Sequence, residues 1–318
     1  MSQIKAQSYI MGDLSINRNS PNYPSRSDEK IMRQDVKASI LIINEMIESA
    51  GLQKNIVNVP LYVANGAFVE NVDRHLNRIV NVYKTIEQGS NEAEKIRKIY
   101  RASPPLVALE TLTNSTMSFI AQYTGIKGNN ATFGNTSISA IHAIQEAENA
   151  LQDTPLAIVN SSNCSGDYSY LTNSSVLGYD EHWKESTGVA CLLLGNEEGG
   201  SQNSLAKICS VKNSFKIPNI ETKGIKRNWV EIMIDDGADA LVHSGAYSLH
   251  THEKDVEYSQ NLNSSSFSWF DSYGNMGPSN VVFGIIKAVN FIEEGAQVVD
   301  VLDRDVFGRE SLIRIEKC

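Results

Sequence analysis

Asn129-Asn-Ala-Thr-Phe-Gly134, then Asn135-Thr136, then Ser137-Ile-Ser-Ala-Ile-His-Ala-Ile-Gln-Glu-Ala-Glu-Asn-Ala-Leu151, and finally Pro155-Leu-Ala-Ile-Val159 follow one another along the chain. The first piece is a short strand running into a turn. The long piece reads as a helix, and the last as a buried strand that enters a polar loop over 160–187. Strand, crossover helix and strand in that order make a unit whose strands run parallel.

The same alternation extends outward in both directions. Strands are expected at 4–11, 58–64, 189–194, 205–211, 238–243, 266–270, 296–302 and 306–315. Helices are expected at 28–50, 67–86, 91–101, 105–123, 229–236, 252–261 and 278–294, with a polar loop over 12–27. This order predicts an α/β fold with largely parallel sheets. No residue-level repeat of short period occurs, which excludes solenoids and propellers. The chain divides into two halves with similar element order, 1–160 and 161–318. No glycine or proline linker separates them, so they are expected to pack as one body.

The chain has 318 residues, of which 41% are hydrophobic and 20% charged, with 21 Gly and 8 Pro; this excludes a disordered or collagen-like chain. A net charge of −9 without a basic stripe argues against a general nucleic-acid binder. The four cysteines, Cys164, Cys191, Cys209 and Cys318, contain no C-x-x-C pair. That spacing predicts free thiols in a reducing cytoplasm rather than disulfides or a zinc site. No basic segment followed by an apolar one opens the chain, and no apolar run is long enough to span a membrane. Gly-x-Gly-x-x-Gly and P-loop patterns are absent, so no cofactor is expected.

Three positions share one context, each between a strand and a helix. Ser137 opens a helix, where unpaired N–H groups and the positive helix end favour developing negative charge; the blander reading is an N-cap. His243 ends the apolar strand Ala240-Leu-Val, and ligands of α/β sheets sit beyond the carboxyl ends of strands. A lone histidine there is also a common structural residue. Asn275 lies in Gly274-Asn-Met-Gly277, where turn chemistry alone can explain it.

Taken in order, Ser103-Pro-Pro-Leu-Val-Ala-Leu-Glu-Thr-Leu-Thr-Asn114, Gly125-Ile-Lys-Gly128, the helix from Ser137, Gly188-Val-Ala-Cys-Leu-Leu-Leu194, Val242-His-Ser-Gly245 and Gly274-Asn-Met-Gly277 resemble the β-ketoacyl-carrier-protein synthase family of thiolase-like condensing enzymes. The resemblance spans most of residues 100–295. It implies a thiolase-like fold of two similar βαβ-rich halves in an α/β/α/β/α body. It also implies a dimer, an acyl carrier protein or acyl-coenzyme A as partner, and a setting in fatty-acid or polyketide assembly. Catalytic roles fall on Ser137, His243 and Asn275. The sequence departs from the family in placing Ser137 where the catalytic cysteine stands and Phe270 where a lysine is usual.

A thiolate at a helix start is stabilised by the helix, whereas a serine needs a general base in hydrogen-bond reach, and His243 is the matched candidate. Ser137 therefore fits acyl transfer better than carbon–carbon condensation. By the resemblance, His243 and Asn275 donate hydrogen bonds to a thioester carbonyl oxygen. The leading expectation is an acyltransferase acting through Ser137. The alternative is a non-condensing partner subunit, like a chain-length factor, paired with an active synthase. A serine hydrolase of another fold is disfavoured because Gly-x-Ser-x-Gly is absent.

Cys164 lies on the polar loop, away from any helix start. His250 and His252 lack a third metal ligand, so no metal is expected. His142 reads as structural. Carrier docking would need local positive charge, and Lys95, Arg97, Lys98 and Arg101 form one cluster, with Lys223, Lys226 and Arg227 a second.

Overall fold

The computed structural model describes residues 1–12, 14, 16, 23–53, 55–66, 80–84, 91–102, 112–163, 186–196, 204–215, 237–245, 265–304 and 309–318. Its strands are β1 (Ser2–Met11), β2 (Leu61–Gly66), β3 (Asn130–Asn135), β4 (Leu156–Asn163), β5 (Gly188–Gly195), β6 (Ala206–Phe215), β7 (Ala240–His243), β8 (Ser265–Ser268), β9 (Val298–Arg304) and β10 (Arg309–Glu316). Its helices are α1 (Arg26–Glu29), α2 (Gln34–Ser49), α3 (Glu92–Ala102), α4 (Thr113–Thr124), α5 (Ile138–Ala150), α6 (Trp269–Tyr273) and α7 (Ser279–Glu293).

The strands form one ten-stranded sheet in the order β3-β2-β4-β5-β1-β6-β10-β9-β7-β8. Adding five to each label of β3-β2-β4-β5-β1 gives the same order read from the other end. The chain is thus a topological repeat joined where β1 pairs with β6. Along the chain the repeat changes over between β5 and β6. Only β2–β3, β2–β4, β7–β8 and β7–β9 are parallel, and the other pairings are antiparallel. The sheet is therefore mixed rather than largely parallel, because β5 and β10 each return beside the first strand of their repeat.

Alternation along β5 shows the layering. Ala190, Leu192 and Leu194 join α5, α7 and the inner faces of both repeats in one core. Val189, Cys191 and Leu193 turn the other way, onto α2 and α4. Period-2 alternation requires this division. The layers run α2 and α4, first-repeat sheet, α5 and α7, second-repeat sheet. Leu241, Leu302 and Leu312 cluster on the far face of the second repeat. The helices expected at 229–236 and 252–261 lie outside the described residues.

Two local expectations change. The helix expected over 28–50 is broken: Ser25 caps α1, and α2 starts only after Arg33, whose extended backbone ends the link. Met32 and Arg33 are both buried there, the first in the α2 core and the second on Asp35. The strand expected over 266–270 stops at Ser268, because the Ser268 Oγ accepts from the Asp271 N–H and starts α6. The α4 helix ends as expected, on Gly125 at φ 77°, a left-handed conformation that glycine adopts without Cβ strain.

Candidate active site

Ser137 stands one residue before α5, buried, with helical backbone angles. Its hydroxyl does not cap the helix. Ser139 takes over the local turn, donating through its N–H and Oγ to the Thr136 carbonyl. Ser137 Oγ has no hydrogen-bond partner among the described residues. An orphaned buried hydroxyl is uncommon in folded proteins.

Asn275 is built more tightly. Its Oδ1 accepts from the Gly277 N–H at 3.1 Å and from Asn280 Nδ2 at 2.9 Å. The buried Asn280 is itself fixed, accepting from the Met276 N–H at 2.8 Å. With the carboxamide oxygen held twice, its orientation is fixed and the Nδ2 group remains as the donor of this side chain.

Two tethers place this loop against the first repeat. The Ser186 N–H donates to the Asn275 carbonyl at 2.9 Å, and the Ser186 hydroxyl donates to the Tyr273 carbonyl. At the head of α7, Ser279 Oγ donates to the Gly188 carbonyl at 2.9 Å. Ser137 and Asn275 therefore both stand at the carboxyl ends of the first repeat's parallel strands: β3 leads to Ser137, its Asn135 pairs with Gly66, and Gly66 adjoins the end of β4.

His243 is placed differently. Ala240 and Val242 of β7 face the α5–α7 layer, so alternation turns Leu241 and His243 to the opposite face. The ladder agrees, because His243 pairs with Leu302, a member of the far-side cluster. The residue turned inward is Ser244, whose Oγ donates to Asp303 Oδ1 at 2.9 Å and which packs on Gly284 of α7. Among the described residues no hydrogen bond joins any two of Ser137, His243 and Asn275. The structure thus brings Ser137 and Asn275 to one end of one sheet, and among the described residues no hydrogen bond joins the Ser137 hydroxyl to the His243 ring. Ser244, Asp303 and Asn280 escaped the sequence reading; buried polar residues inside apolar segments were the only signal.

Two described thiols, Cys191 and Cys209, are poorly suited to act as nucleophiles. Cys191 is buried on Met46, and burial pushes its thiol up. Burial, with Glu316 nearby, pushes Cys209 up to about 11. Neither has the low pKa that makes a thiol nucleophilic near neutral pH. His142 is exposed, with its ring 6.1 Å from that of Phe133, rather than packed among apolar neighbours. Cys164, His250, His252, Lys223, Lys226, Arg227 and the segment 103–111 lie outside the described residues, as does the Phe270 side chain. Among the described residues no group of three His, Cys, Asp or Glu side chains could hold a metal ion, and no helix is long and apolar enough to cross a membrane.

No family model and no curated protein matches the sequence. Solved structures match it from end to end. The AntDE:AntF complex, a type II polyketide-synthase acyl carrier protein with its ketosynthase bound to the hexaketide, aligns at TM-score 0.72 and 13% identity, over 100% of this chain and 99% of that one. The chain has the thiolase-like fold of the ketosynthases. A PfaC ketosynthase–chain-length factor aligns at TM-score 0.71 and 14% identity, over 99% of this chain and 42% of that one. A β-ketoacyl synthase from Burkholderia phymatum aligns at TM-score 0.66 and 12% identity, over 96% of this chain and 86% of that one.

Proposed function

We propose that this chain is the non-condensing, chain-length-factor-like subunit of a heterodimeric ketosynthase in fatty-acid or polyketide assembly. The observation that carries this reading is the solitary Ser137 hydroxyl, which stands at the head of α5 with no hydrogen-bonded base among the described residues. A serine without a base is a poor nucleophile near neutral pH, and the register of β7 turns the His243 ring away from the α5–α7 layer. The likeness to the ketosynthase–chain-length factor supports the same reading. Co-expression with a ketosynthase-like subunit that keeps the cysteine tests it. A 1:1 heterodimer on size exclusion is expected, with condensation lost when the partner's cysteine is replaced and retained in Ser137→Ala. A stable homodimer that condenses unaided would end the proposal.

The second reading is acyl transfer through Ser137, with His243 as base and Asn275 as oxyanion donor. It is favoured by the burial and lack of partner of the hydroxyl at a helix start. Incubation of the isolated chain with octanoyl-coenzyme A separates the two readings by intact mass. We expect no adduct. An octanoyl adduct lost in Ser137→Ala would establish the acyltransferase.

Carrier docking has a candidate surface in α3. Lys95 and Lys98 pair with Glu92 and Glu94, each at 3.5 Å, while Arg97 and Arg101 form no ion pair among the described residues. Ile96 is 64% and Tyr100 80% exposed beside them, so the helix offers apolar area flanked by free positive charge. An acidic carrier helix complements that surface. The double variant Arg97→Glu and Arg101→Glu is expected to weaken carrier binding about tenfold at low salt and to flatten its salt dependence. Unchanged affinity by calorimetry would remove α3 as the docking surface.

A further inference from the structure

We propose that Asn163, the last residue of β4, is a positioning residue that sets where the Asn275 carboxamide stands relative to Ser137. It belongs to the first repeat, yet its side chain touches both. Asn163 Nδ2 donates to the Ser186 carbonyl at 3.2 Å, and the Ser186 N–H donates to the Asn275 carbonyl at 2.9 Å. Two hydrogen bonds in series thus run from the end of β4 to the backbone of Asn275.

The other end of the carboxamide is clamped by two glycines from different repeats. A Cβ on Gly66 would overlap Asn163 Oδ1, and a Cβ on Gly277 would lie 3.0 Å from it. Gly277 also sits at φ 52°, so the loop needs glycine there twice over. Gly66 ends β2 and pairs with Asn135, two residues before Ser137. Asn163 therefore bridges the strand end beside Ser137 and the loop that carries Asn275.

This placement matters because the Asn275 oxygen is already held by Gly277 and Asn280. The direction of the remaining Nδ2 donor is set by where the loop sits, and a donor that is to meet a ligand must be placed to within about 0.5 Å. Asn163 acts through Asn275 and need not meet a ligand itself. The inference concerns geometry within the isolated chain, so it stands or falls separately from the heterodimer reading.

Side-chain amide resonances test it. In protein labelled with 15N-asparagine, the Asn275 pair is the one lost in Asn275→Gln. In Asn163→Ala, and separately in Gly66→Ala, the Asn275 pair is expected to move by more than its linewidth. Asn163→Asp, which keeps the shape but replaces the donor to the Ser186 carbonyl with an acceptor, is expected to move it as well. Thr124→Ala, which removes a hydroxyl bonded to the Ile120 carbonyl in α4, is the control for general loosening and is expected to leave it in place. An unmoved Asn275 pair in folded Asn163→Ala or Asn163→Asp overturns the proposal, as does an equal shift in Thr124→Ala.

Discussion

Asp35→Asn lowers the unfolding free energy by about 3–5 kcal/mol, the cost of leaving a buried guanidinium without its carboxylate. Arg33 meets Asp35 through two parallel bonds, Nε to Oδ1 at 3.0 Å and Nη2 to Oδ2 at 2.8 Å. The pair is nearly sealed, at 7% and 2% exposure, so water cannot replace the lost partner. Arg33 also reaches Thr116 on α4 at 3.3 Å, and Ser162 on β4 donates to Asp35 at 3.0 Å. The pair thus pins the start of α2 to α4 and to the residue next to Asn163. Chemical denaturation should show the loss, and a midpoint shift worth under about 1 kcal/mol would contradict it. The double variant Arg33→Met with Asp35→Leu is expected to recover most of the loss, because it removes both charges and refills the volume.

The same pair sets a pH dependence. Burial alone would raise the Asp35 carboxyl above its ordinary 3.8, but the Arg33 charge, its hydrogen bonds and that from Ser162 outweigh burial and hold it below. A carboxyl lowered on folding contributes stability above its unfolded value, and the contribution fades as pH falls through the folded value. Wild type should therefore lose stability on acidification below about pH 4 more steeply than Asp35→Asn does. Parallel curves for the two proteins would show that the pair contributes no pH dependence.

What could be read from the sequence depended on how well burial pattern tracks geometry. The β5 strand was legible as Gly188-Val-Ala-Cys-Leu-Leu-Leu, and α7 as an apolar helix closed by Gly295, because each is buried along its length. The facing of β7 was not legible, for the same reason. Ala240, Leu241 and Val242 are all apolar and buried, so period-2 contrast disappears and nothing local says which side His243 takes. Only the ladder with β9 decides it. The repeat was equally hidden, since it lives in strand order and not in shared residues. The tether from Asn163 through Ser186 to Asn275 joins positions far apart in sequence, and no spacing rule can find such a contact.

Thr132→Lys in β3 should weaken the proposed heterodimer about a hundredfold, equivalent to ~2.7 kcal/mol. β3 ends the sheet, and among the described strands it pairs only with β2. A free edge presents unpaired N–H and C=O groups, and stable monomers blunt such edges with lysine, proline, bulges or short length. The other edge, β8, is blunted, being four residues long and running directly into α6. β3 has none of these devices: Asn-Ala-Thr-Phe-Gly-Asn is six residues with no charge and no proline. Its middle is half-buried, and Thr132 Oγ1 is buried with no partner among the described residues. An edge this neutral, with no strand paired to its outer side among the described residues, fits pairing with a second chain, and a lysine at its centre would carry a charge into that interface. The isolated subunit should keep its near-ultraviolet dichroism, because the substituted side chain leaves the β2–β3 ladder bonded. Ser118→Lys, on the exposed side of α4, is the matched control and should leave the dissociation constant unchanged. If Thr132→Lys still co-elutes with its partner at unchanged affinity, the partner does not pair along β3, and the uncharged edge strand needs another explanation.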